Sequence, residues 1–188
     1  MVEIASYQLD VSQLREFAPK LKVFDRVFLS GTVYTSRDAA HKRIFEYISQ
    51  KKELPYSLKD AVVYYAGPTP TPAGLPIGSC GPTTSGRMDV YAPELMDLGL
   101  CGMIGKGERK PPVIDAVVRN QGVYFCAVGG AGALACQSIT SCEVIAFEEL
   151  GCESVKKLTL KEFPLIVAID CEGTDIFQEG PRKYLEQK

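Results

Sequence analysis

Short apolar runs bounded by glycine, proline or charged residues recur along this chain. Those rich in β-branched and aromatic residues predict strands, as in DRVFLSGTVYTS, AVVYYAGP and VYFCAVGG. Weaker runs predict strands at CGMIGKG and CEVIAF, and a first strand within residues 1–20, where VSQLREF adds a short helical turn. SVKKLTLKEF and PLIVAIDCEGTDIF are predicted to close the chain as strands, with a turn near Glu172 and Gly173.

Apolar residues at helical spacing predict a helix from about Arg37 to Lys51, with Ser36 or Thr35 as its N-cap and Asp38 in its first turn. RMDVYAPELMDLG, PPVIDAVVRNQG and AGALACQSI predict three more helices, whereas GPTPTPAGLPIG predicts a loop. The alternation of strands and helices predicts an α/β fold with a mixed sheet flanked by helices. We expect residues 1–188 to form one domain.

The composition changes this picture little. Of the 188 residues, 46% are hydrophobic and 23% are charged, and the formal net charge is −2, which is ordinary for a soluble cytoplasmic protein. No acidic or basic block points to nucleic acid or to a membrane surface. No apolar run approaches the ~20 residues that a membrane span needs, and the start MVEIASYQLD lacks the basic and apolar regions of a signal peptide.

The seven cysteines are scattered, and none forms a CxxC pair. An odd number without paired spacing argues against a disulfide framework. Most of these residues are therefore expected to be reduced and to fill the core as small apolar side chains. Cys80 is the exception, because loop residues surround it. The lack of local ligand spacing also predicts that this chain by itself holds no metal cluster.

The stretch GSCGPTTSGRMD, over residues 78–89, is poor in core residues and rich in groups that bind anions. Its three glycines let a ligand approach the main chain, and three hydroxyls stand in a row at Thr83, Thr84 and Ser85. Arg87 follows at the predicted start of the next helix, where its guanidinium can bind a carboxylate through two hydrogen bonds. A helix-capping loop needs fewer hydroxyls and glycines, so a binding site explains the stretch better.

Three other features have both a functional and a purely structural interpretation. Arg37 and His41 lie one turn apart at a predicted helix start, which suits an anion, although the residues alone favour a surface ion pair beside a packed histidine. Lys106 stands between two glycines, but the full phosphate-loop spacing is missing. AVGGAGALA lacks the dinucleotide-binding pattern, and close packing of a helix on a strand explains it better.

Taken together, Arg37, Arg87 and Lys106 supply cations with hydroxyls and flexible backbone between them, and the same loops hold no matching excess of carboxylates. Such a lining suits a dianion. It would also stabilise the negative charge that develops when a proton leaves a carbon next to a carboxylate.

Several of these stretches resemble a known family. SGTVYTSRDAAHKR, GPTTSGRMD, GKG and VGGAGAL, with KEFPLIVAID and EGTDIF near the end, are similar to the class I (iron–sulfur) fumarases and L-tartrate dehydratases, in their β subunit or C-terminal domain. The resemblance runs in order from about Leu29 to the end of the chain. It implies the swivelling β/β/α fold and the reversible trans addition of water to a dicarboxylate double bond.

The resemblance also implies roles for five residues. Arg37 is similar to a ligand of one substrate carboxylate, with His41 as an active-site residue beside it. Arg87 resembles the clamp on the second carboxylate, and Lys106 another substrate contact. Thr83 resembles the hydroxyl that takes a proton from the substrate. A threonine is a weak base in water, so we expect the flanking cations to stabilise its alkoxide.

By the same resemblance, a four-iron–four-sulfur cluster acts as the Lewis acid, and three cysteines of an α subunit that this chain lacks hold it. The implied partners are that fumarate hydratase α subunit and a dicarboxylate, fumarate or malate, with β–β contacts in an α2β2 assembly. The stretch TSGRMD favours fumarate. The alternatives are a tartrate dehydratase β subunit and a dicarboxylate-binding module without catalysis.

Overall fold

A computed structural model describes residues 4–186 and contains alternating strands and helices. The strands are β1 (Ser6–Asp10), β2 (Arg26–Thr35), β3 (Val62–Tyr64), β4 (Gly102–Gly105), β5 (Val123–Cys126), β6 (Ile139–Ala146) and β7 (Val155–Ile169). The α-helices are α1 (Leu14–Phe17), α2 (Asp38–Ser49), α3 (Ala92–Asp97), α4 (Pro111–Arg119), α5 (Gly132–Ala135) and α6 (Ile176–Leu185). The predicted entry segment begins with three residues that lie outside the described range.

The seven strands form one mixed sheet in the order β1-β2-β3-β4-β5-β7-β6. Successive strands from β1 to β5 pair with one another in parallel. β7 is antiparallel to both β5 and β6. β7 also pairs antiparallel with β2, so hydrogen bonding continues around a closed ring of β2, β3, β4, β5 and β7. The predicted α/β fold with a mixed sheet is confirmed.

Both faces of the central strands are buried, which explains why their sequences are almost wholly apolar. Along β3, Val62 and Tyr64 join one hydrophobic cluster, and Val63 joins a second one, because successive side chains point to opposite faces. Buried residues of α2, α3 and α4 complete the second cluster. None of the helices within residues 4–186 is long and apolar enough to cross a membrane.

The fold brings the predicted site segments to one edge of the sheet. β2, β3 and β4 are parallel neighbours, so their carboxyl ends lie side by side. Arg37 follows the end of β2, Lys106 follows the end of β4, and the segment after β3 carries Thr83 and Arg87. The loop over residues 67–78 contains no strand or helix, as predicted.

The prediction for the end of the chain is wrong in two respects. β7 is one continuous strand across Pro164, which lies opposite Phe28 in β2. On its other edge, β7 pairs with β6 only up to Leu160 and with β5 only from Ile166. Pro164 lies between these two pairings, where no strand needs the main-chain hydrogen bond that a proline cannot donate. The last predicted strand segment instead leads into α6, whose N-cap Asp175 accepts a hydrogen bond from the main chain of the helix at 2.9 Å.

Two smaller expectations also change. The helix predicted from Arg87 is a 3-10 turn over Ser85–Met88 followed by the short α3, because Pro93 suits only a first helical turn. Cys80 lies in a segment without helix or strand but is fully buried within the first cluster, and burial raises the pKa of its thiol to about 12. All seven cysteines are free thiols.

Candidate active site

Two of the three predicted cationic residues, Arg37 and Arg87, approach a single carboxylate. The Oδ2 atom of Asp38 lies 3.9 Å from Nη2 of Arg37 and 3.3 Å from Nη2 of Arg87. These two arginines come from segments about fifty positions apart in sequence, yet both guanidinium groups reach the same oxygen atom. The structure therefore places the two expected carboxylate ligands side by side.

Arg37 is held from several sides. Its side chain is 17% exposed, and Nη2 lies 3.2 Å from Oε1 of Glu153. A Cβ atom at Gly67 would lie only 2.6 Å from Nη1 of Arg37, so the absence of a side chain there lets the guanidinium rest against the main chain. The sequence pattern did not reveal Glu153. The path of the chain after β6 brings this residue to Arg37, and local spacing does not encode that contact.

The structure also corrects the predicted N-cap of α2. Arg37 itself is the N-cap of α2, in an extended conformation, and its side chain makes no capping hydrogen bond. The main-chain N–H of Ala39, which has no partner within the helix, donates instead to Oε2 of Glu153 at 3.0 Å. Ser36 does not cap the helix, because its hydroxyl lies 2.9 Å from Nδ1 of His41.

Thr83 is anchored to the sheet through one carbonyl. Its main-chain N–H and its Oγ1 hydroxyl both donate to the carbonyl oxygen of Tyr65, at 2.7 and 2.9 Å. The residue is half-buried, at the point where the chain after β3 returns to the sheet. This arrangement fixes the orientation of the hydroxyl.

Lys106 lies beside the threonine segment. A bridge pairs Thr84 with Lys106, and the lysine side chain is exposed. Within residues 4–186 no carboxylate oxygen lies within 4.0 Å of its ammonium group, in contrast to both arginines. A Cβ atom built on Gly129 would lie 3.7 Å from its Nζ atom, so the lysine side chain lies along the glycine segment after β5.

Two of the glycines in the 78–89 stretch serve packing within the chain. A Cβ atom at Gly78 would overlap the main chain of Thr69, and one at Gly81 would lie 3.3 Å from the Cα atom of Gly132. None of the three glycines in this stretch has a positive φ. Close approach of neighbouring backbone thus accounts for Gly78 and Gly81, whereas a Cβ atom at Gly86 would meet its nearest atom at 3.5 Å. The expected approach of a ligand to this stretch stays a prediction.

His41 is fully buried, with its ring stacked on Tyr91 at 5.4 Å. Its Nδ1 atom lies 2.9 Å from the carbonyl oxygen of Arg37. Because a carbonyl can only accept, Nδ1 carries the proton, and Nε2 is a buried acceptor for which the described residues supply no partner. Burial lowers the pKa of His41 to about 4, and the nearby Arg109 acts in the same direction.

The free energy of unfolding should consequently depend on pH through His41. Between about pH 6.5 and pH 4 the unfolded chain binds a proton on this residue and the folded chain does not. Stability is thus lost as the pH falls through this window, by on the order of 3 kcal/mol in total. The chain has one histidine, so NMR titration reports its imidazole alone, and urea unfolding at a series of pH values gives the stability.

His41→Asn is the control, since asparagine does not titrate and this part of the pH dependence should vanish. An imidazole that titrates near pH 6.5 in the folded protein would contradict the burial argument. The predicted active-site role of His41 stays a prediction.

A buried charged pair beneath the site was missed by the sequence reasoning. Nε of Arg109 donates to Oδ1 of Asp89 at 2.6 Å, and both side chains are at most 2% exposed. The guanidinium carbon of Arg109 lies 5.4 Å from the ring centroid of Tyr65 and 4.8 Å from that of Tyr124. Asp89 ends the stretch over residues 78–89, but nothing in the spacing of the residues indicates that Arg109 is its partner.

The described residues do not supply a metal centre. Within residues 4–186 there is no group of three or more histidine, cysteine, aspartate or glutamate residues that could hold a metal ion. The buried thiols of Cys80 and Cys101 also have raised pKa values because burial disfavours the thiolate. These residues therefore do not fit the ligand set of an iron–sulfur cluster.

Comparison with known families decides the relationship. A family model described as "Fumarase C-terminus" matches residues 2–180. This chain belongs to the fumarase C-terminus family. The match includes all five residues that the resemblance had marked, so the family identified from the sequence motifs is confirmed.

Relatives within the fumarase C-terminus family include two kinds of protein. "Fumarate hydratase class I, anaerobic" of Escherichia coli strain K12 is 45% identical over 159 residues, which are 84% of this chain and 29% of that protein. "Putative L(+)-tartrate dehydratase subunit beta" of Methanocaldococcus jannaschii is 37% identical and covers 89% of both chains. "L(+)-tartrate dehydratase subunit beta" of E. coli K12 is 31% identical, over 89% of this chain and 85% of its own length.

The two kinds differ in how much of the relative is matched. This chain spans less than a third of the fumarate hydratase and most of each tartrate dehydratase β subunit. The family is therefore that of the fumarate hydratases and tartrate dehydratases, which are hydro-lyases. Membership by itself leaves the substrate and the assembly of this chain open.

Proposed function

We propose that this chain acts as the β subunit of a two-subunit hydro-lyase that reversibly hydrates fumarate to L-malate. In this proposal its residues 1–188 form one domain that supplies the cationic clamp for the substrate carboxylates and a catalytic hydroxyl. The observation that carries the proposal is the convergence of Arg37 and Arg87 on one carboxylate oxygen of Asp38. A substrate carboxylate has the same chemistry as that side chain.

In the proposed binding step, a substrate carboxylate takes the place of the Asp38 carboxylate between the two guanidinium groups, while Glu153 stays 3.2 Å from Arg37. Charged hydrogen bonds from an arginine fork hold a carboxylate in a fixed orientation. Lys106, which has no carboxylate partner among the described residues, then meets the rest of the dianion. In the dehydration direction Thr83 first loses its proton to solvent, and its alkoxide then takes the proton from the malate carbon and becomes the hydroxyl that donates to the Tyr65 carbonyl. In the hydration direction the same hydroxyl gives its proton to the carbon.

The proposed partner is a fumarate hydratase α subunit that holds a four-iron–four-sulfur cluster. When bound by that partner, the cluster would supply a Lewis acid for the hydroxyl group that leaves or adds. The names of two relatives, each a subunit beta, support the idea of a partner chain. The free thiols of all seven cysteines agree with a reducing, cytoplasmic setting.

An apolar surface next to Lys106 supports docking of that partner over the site. Val128 and Leu134 are 62% and 63% exposed. Gly129, where an added Cβ atom would lie 3.4 Å from Cδ of Lys106, directly follows Val128. Large exposed apolar side chains beside a polar site are typical of interfaces. Contacts between two β subunits in an α2β2 assembly are part of the same proposal.

Fumarate is proposed over tartrate on sequence identity. The fumarate hydratase is 45% identical to this chain, and the two tartrate dehydratase subunits are 37% and 31% identical. Tartrate dehydration is the second candidate, because this chain spans 89% and 85% of those subunits. A dicarboxylate-binding module without catalysis is the third, and the surface position of the two arginines is compatible with it.

Reconstitution with a cluster-bearing α subunit tests the proposal, with turnover followed by the ultraviolet absorbance of fumarate. We expect hydration of fumarate with both chains present and none with either alone. Turnover of L-tartrate without turnover of fumarate would favour the second candidate. Binding of a dicarboxylate by this chain, unchanged by any partner and without turnover, would replace the proposal with the third.

Arg87→Gln should raise the KM for fumarate by about 10–100-fold, because the substrate loses a charged hydrogen bond worth ~1.5–3 kcal/mol. Arg87→Lys keeps the charge but not the fork, and should recover only part of this loss. Arg119→Gln is the matched control, since both arginines are half-exposed and paired with an aspartate, at 48% and 45% side-chain exposure. An equal KM for the Arg87 and Arg119 variants would argue against the clamp.

A further inference from the structure

Ser85 joins the two segments that carry the proposed reactive groups. It is fully buried, two positions after Thr83, and its main-chain N–H donates to the carbonyl of Lys106 at 2.9 Å. In return, the main-chain N–H of Lys106 donates to Oγ of Ser85 at 3.0 Å. The serine thus satisfies both polar main-chain groups of the lysine, one with its backbone and one with its side chain.

The hydroxyl of Ser85 is itself held by a buried tyrosine. Oη of Tyr124 lies 2.9 Å from Oγ of Ser85 and 2.9 Å from the carbonyl oxygen of Gly107. Burial raises the pKa of Tyr124, so the phenol keeps its single proton. A carbonyl has no proton to give, so the arrangement that satisfies every group sends the Tyr124 proton to Gly107 and the Ser85 proton to Tyr124.

A directional chain of hydrogen bonds results. It runs from the Lys106 N–H to Ser85, from Ser85 to Tyr124, and from Tyr124 to the carbonyl of Gly107. It therefore begins and ends on the turn that carries Lys106. Each hydroxyl thus donates once and accepts from the preceding group of the chain, and Oη of Tyr124 also accepts a weak hydrogen bond from the thiol of Cys126 at 3.7 Å.

Close packing leaves the serine hydroxyl one position. A Cβ atom at Gly105 would overlap Oγ of Ser85 and would lie 2.9 Å from the ring of Tyr65. The serine side chain thus rests directly on the end of β4. Tyr65, which covers it, also holds Thr83 through its carbonyl, and its own N–H donates to the carbonyl of Ile104 in β4 at 2.8 Å.

We propose that Ser85 and Tyr124 are positioning residues that fix Lys106 relative to Thr83 at the end of β4. The proposal rests on the proposed hydro-lyase function and concerns how its two reactive groups are kept in register. Thr83 is tied to β4 through Tyr65, and Lys106 is tied to it through Ser85 and Tyr124. Neither positioning residue needs to touch the substrate, since both are fully buried.

Ser85→Ala and Tyr124→Phe each remove one hydroxyl and test the proposal in the reconstituted enzyme. We expect each variant to lower kcat/KM by about 10–100-fold, because a small displacement of a reacting group is enough to cause such a loss. Tyr56→Phe is the matched control: it also removes a buried tyrosine hydroxyl, but one without a hydrogen-bond partner among the described residues. Its activity should equal that of the unmodified enzyme.

A second background separates positioning from a general structural effect. In Lys106→Met, the further change Ser85→Ala should lower kcat/KM by less than about 2-fold, since groups that act as a unit are not additive. If Ser85 acted through stability alone, Ser85→Ala would lower kcat/KM by the same factor in both backgrounds. Hydrogen exchange of the Lys106 amide gives a readout without turnover and should be faster in Ser85→Ala than in the unmodified complex.

The possible failures are distinct. An unmodified complex without hydratase activity would refute the proposed function, whatever the variants do. An active complex in which both variants retain full activity, or in which the losses multiply with Lys106→Met, would overturn the positioning role. If Ser85→Ala does not fold, Tyr124→Phe decides alone, because it keeps the ring that packs against Arg109.

Discussion

Thr83→Ala should lower kcat of the reconstituted hydratase by about 10²–10⁴-fold, the range associated with loss of a general acid or base. The hydroxyl is half-buried, and the Tyr65 carbonyl orients it at 2.9 Å. The main-chain N–H of Thr83 keeps its own bond to that carbonyl, at 2.7 Å, so the loop should hold its course. The melting temperature is therefore expected to change little while turnover collapses.

Two companion variants make this test specific. Thr83→Ser keeps a hydroxyl on the same backbone and should recover a large part of the activity. Thr84→Ala removes an adjacent, exposed hydroxyl and should cause a far smaller loss. Near-normal turnover of Thr83→Ala, with its fold intact by circular dichroism, would remove Thr83 from the mechanism.

The parts of the site that could be predicted from the sequence depend on residues that are close together in the chain. Arg37, Arg87 and Lys106 stand in unusual contexts of glycines and hydroxyls, and parallel strands then bring the ends of β2, β3 and β4 together without further information. The apolar spacing of α2 likewise predicted the helix, whose buried residues include Ala40 and Ile44. Such features depend on neighbours in sequence, so a pattern can reveal them.

The parts that were missed depend on contacts between distant segments. The sequence suggested that the site loops hold no excess of carboxylates, yet Glu153 arrives from beyond β6 to pair with Arg37 and to bond the start of α2. Its position follows from the course of the chain after β6, which no local pattern encodes. The helix α6 is a different case, because Gly180 and Pro181 lie inside it and locally disfavour a helix, although Asp175 caps its start.

The buried pair of Asp89 and Arg109 is the clearest case of information carried by the fold alone. Burial opposes the charge on Arg109, but Tyr65 and Asp89 outweigh this effect and raise its pKa. Asp89 also accepts a hydrogen bond from the main-chain N–H of Lys110 through Oδ2 at 2.8 Å, at the start of α4. The carboxylate therefore joins the 3-10 turn after Thr83 to the helix that follows Lys106.

Asp89→Ala should accordingly destabilise the protein by about 3–5 kcal/mol, because it leaves an uncompensated charge in the interior. Single domains are stable by only about 5–15 kcal/mol, so the variant would approach global unfolding. The double variant Asp89→Leu with Arg109→Met removes both charges and should recover much of the loss, since an apolar pair of similar volume can replace a buried ion pair. Urea unfolding measures all three free energies of unfolding.

Asp97→Asn is the surface control, because its partner Arg119 is half-exposed and water can solvate either charge after the change. Its midpoint of urea unfolding should stay close to that of the unmodified protein. If Asp89→Ala were no more harmful than Asp97→Asn, the charge on Arg109 would have to reach solvent in the folded state, contrary to its complete burial. A double variant less stable than Asp89→Ala would instead assign the main contribution to packing of the guanidinium between Tyr65 and Tyr124, because the charge imbalance is absent from that protein.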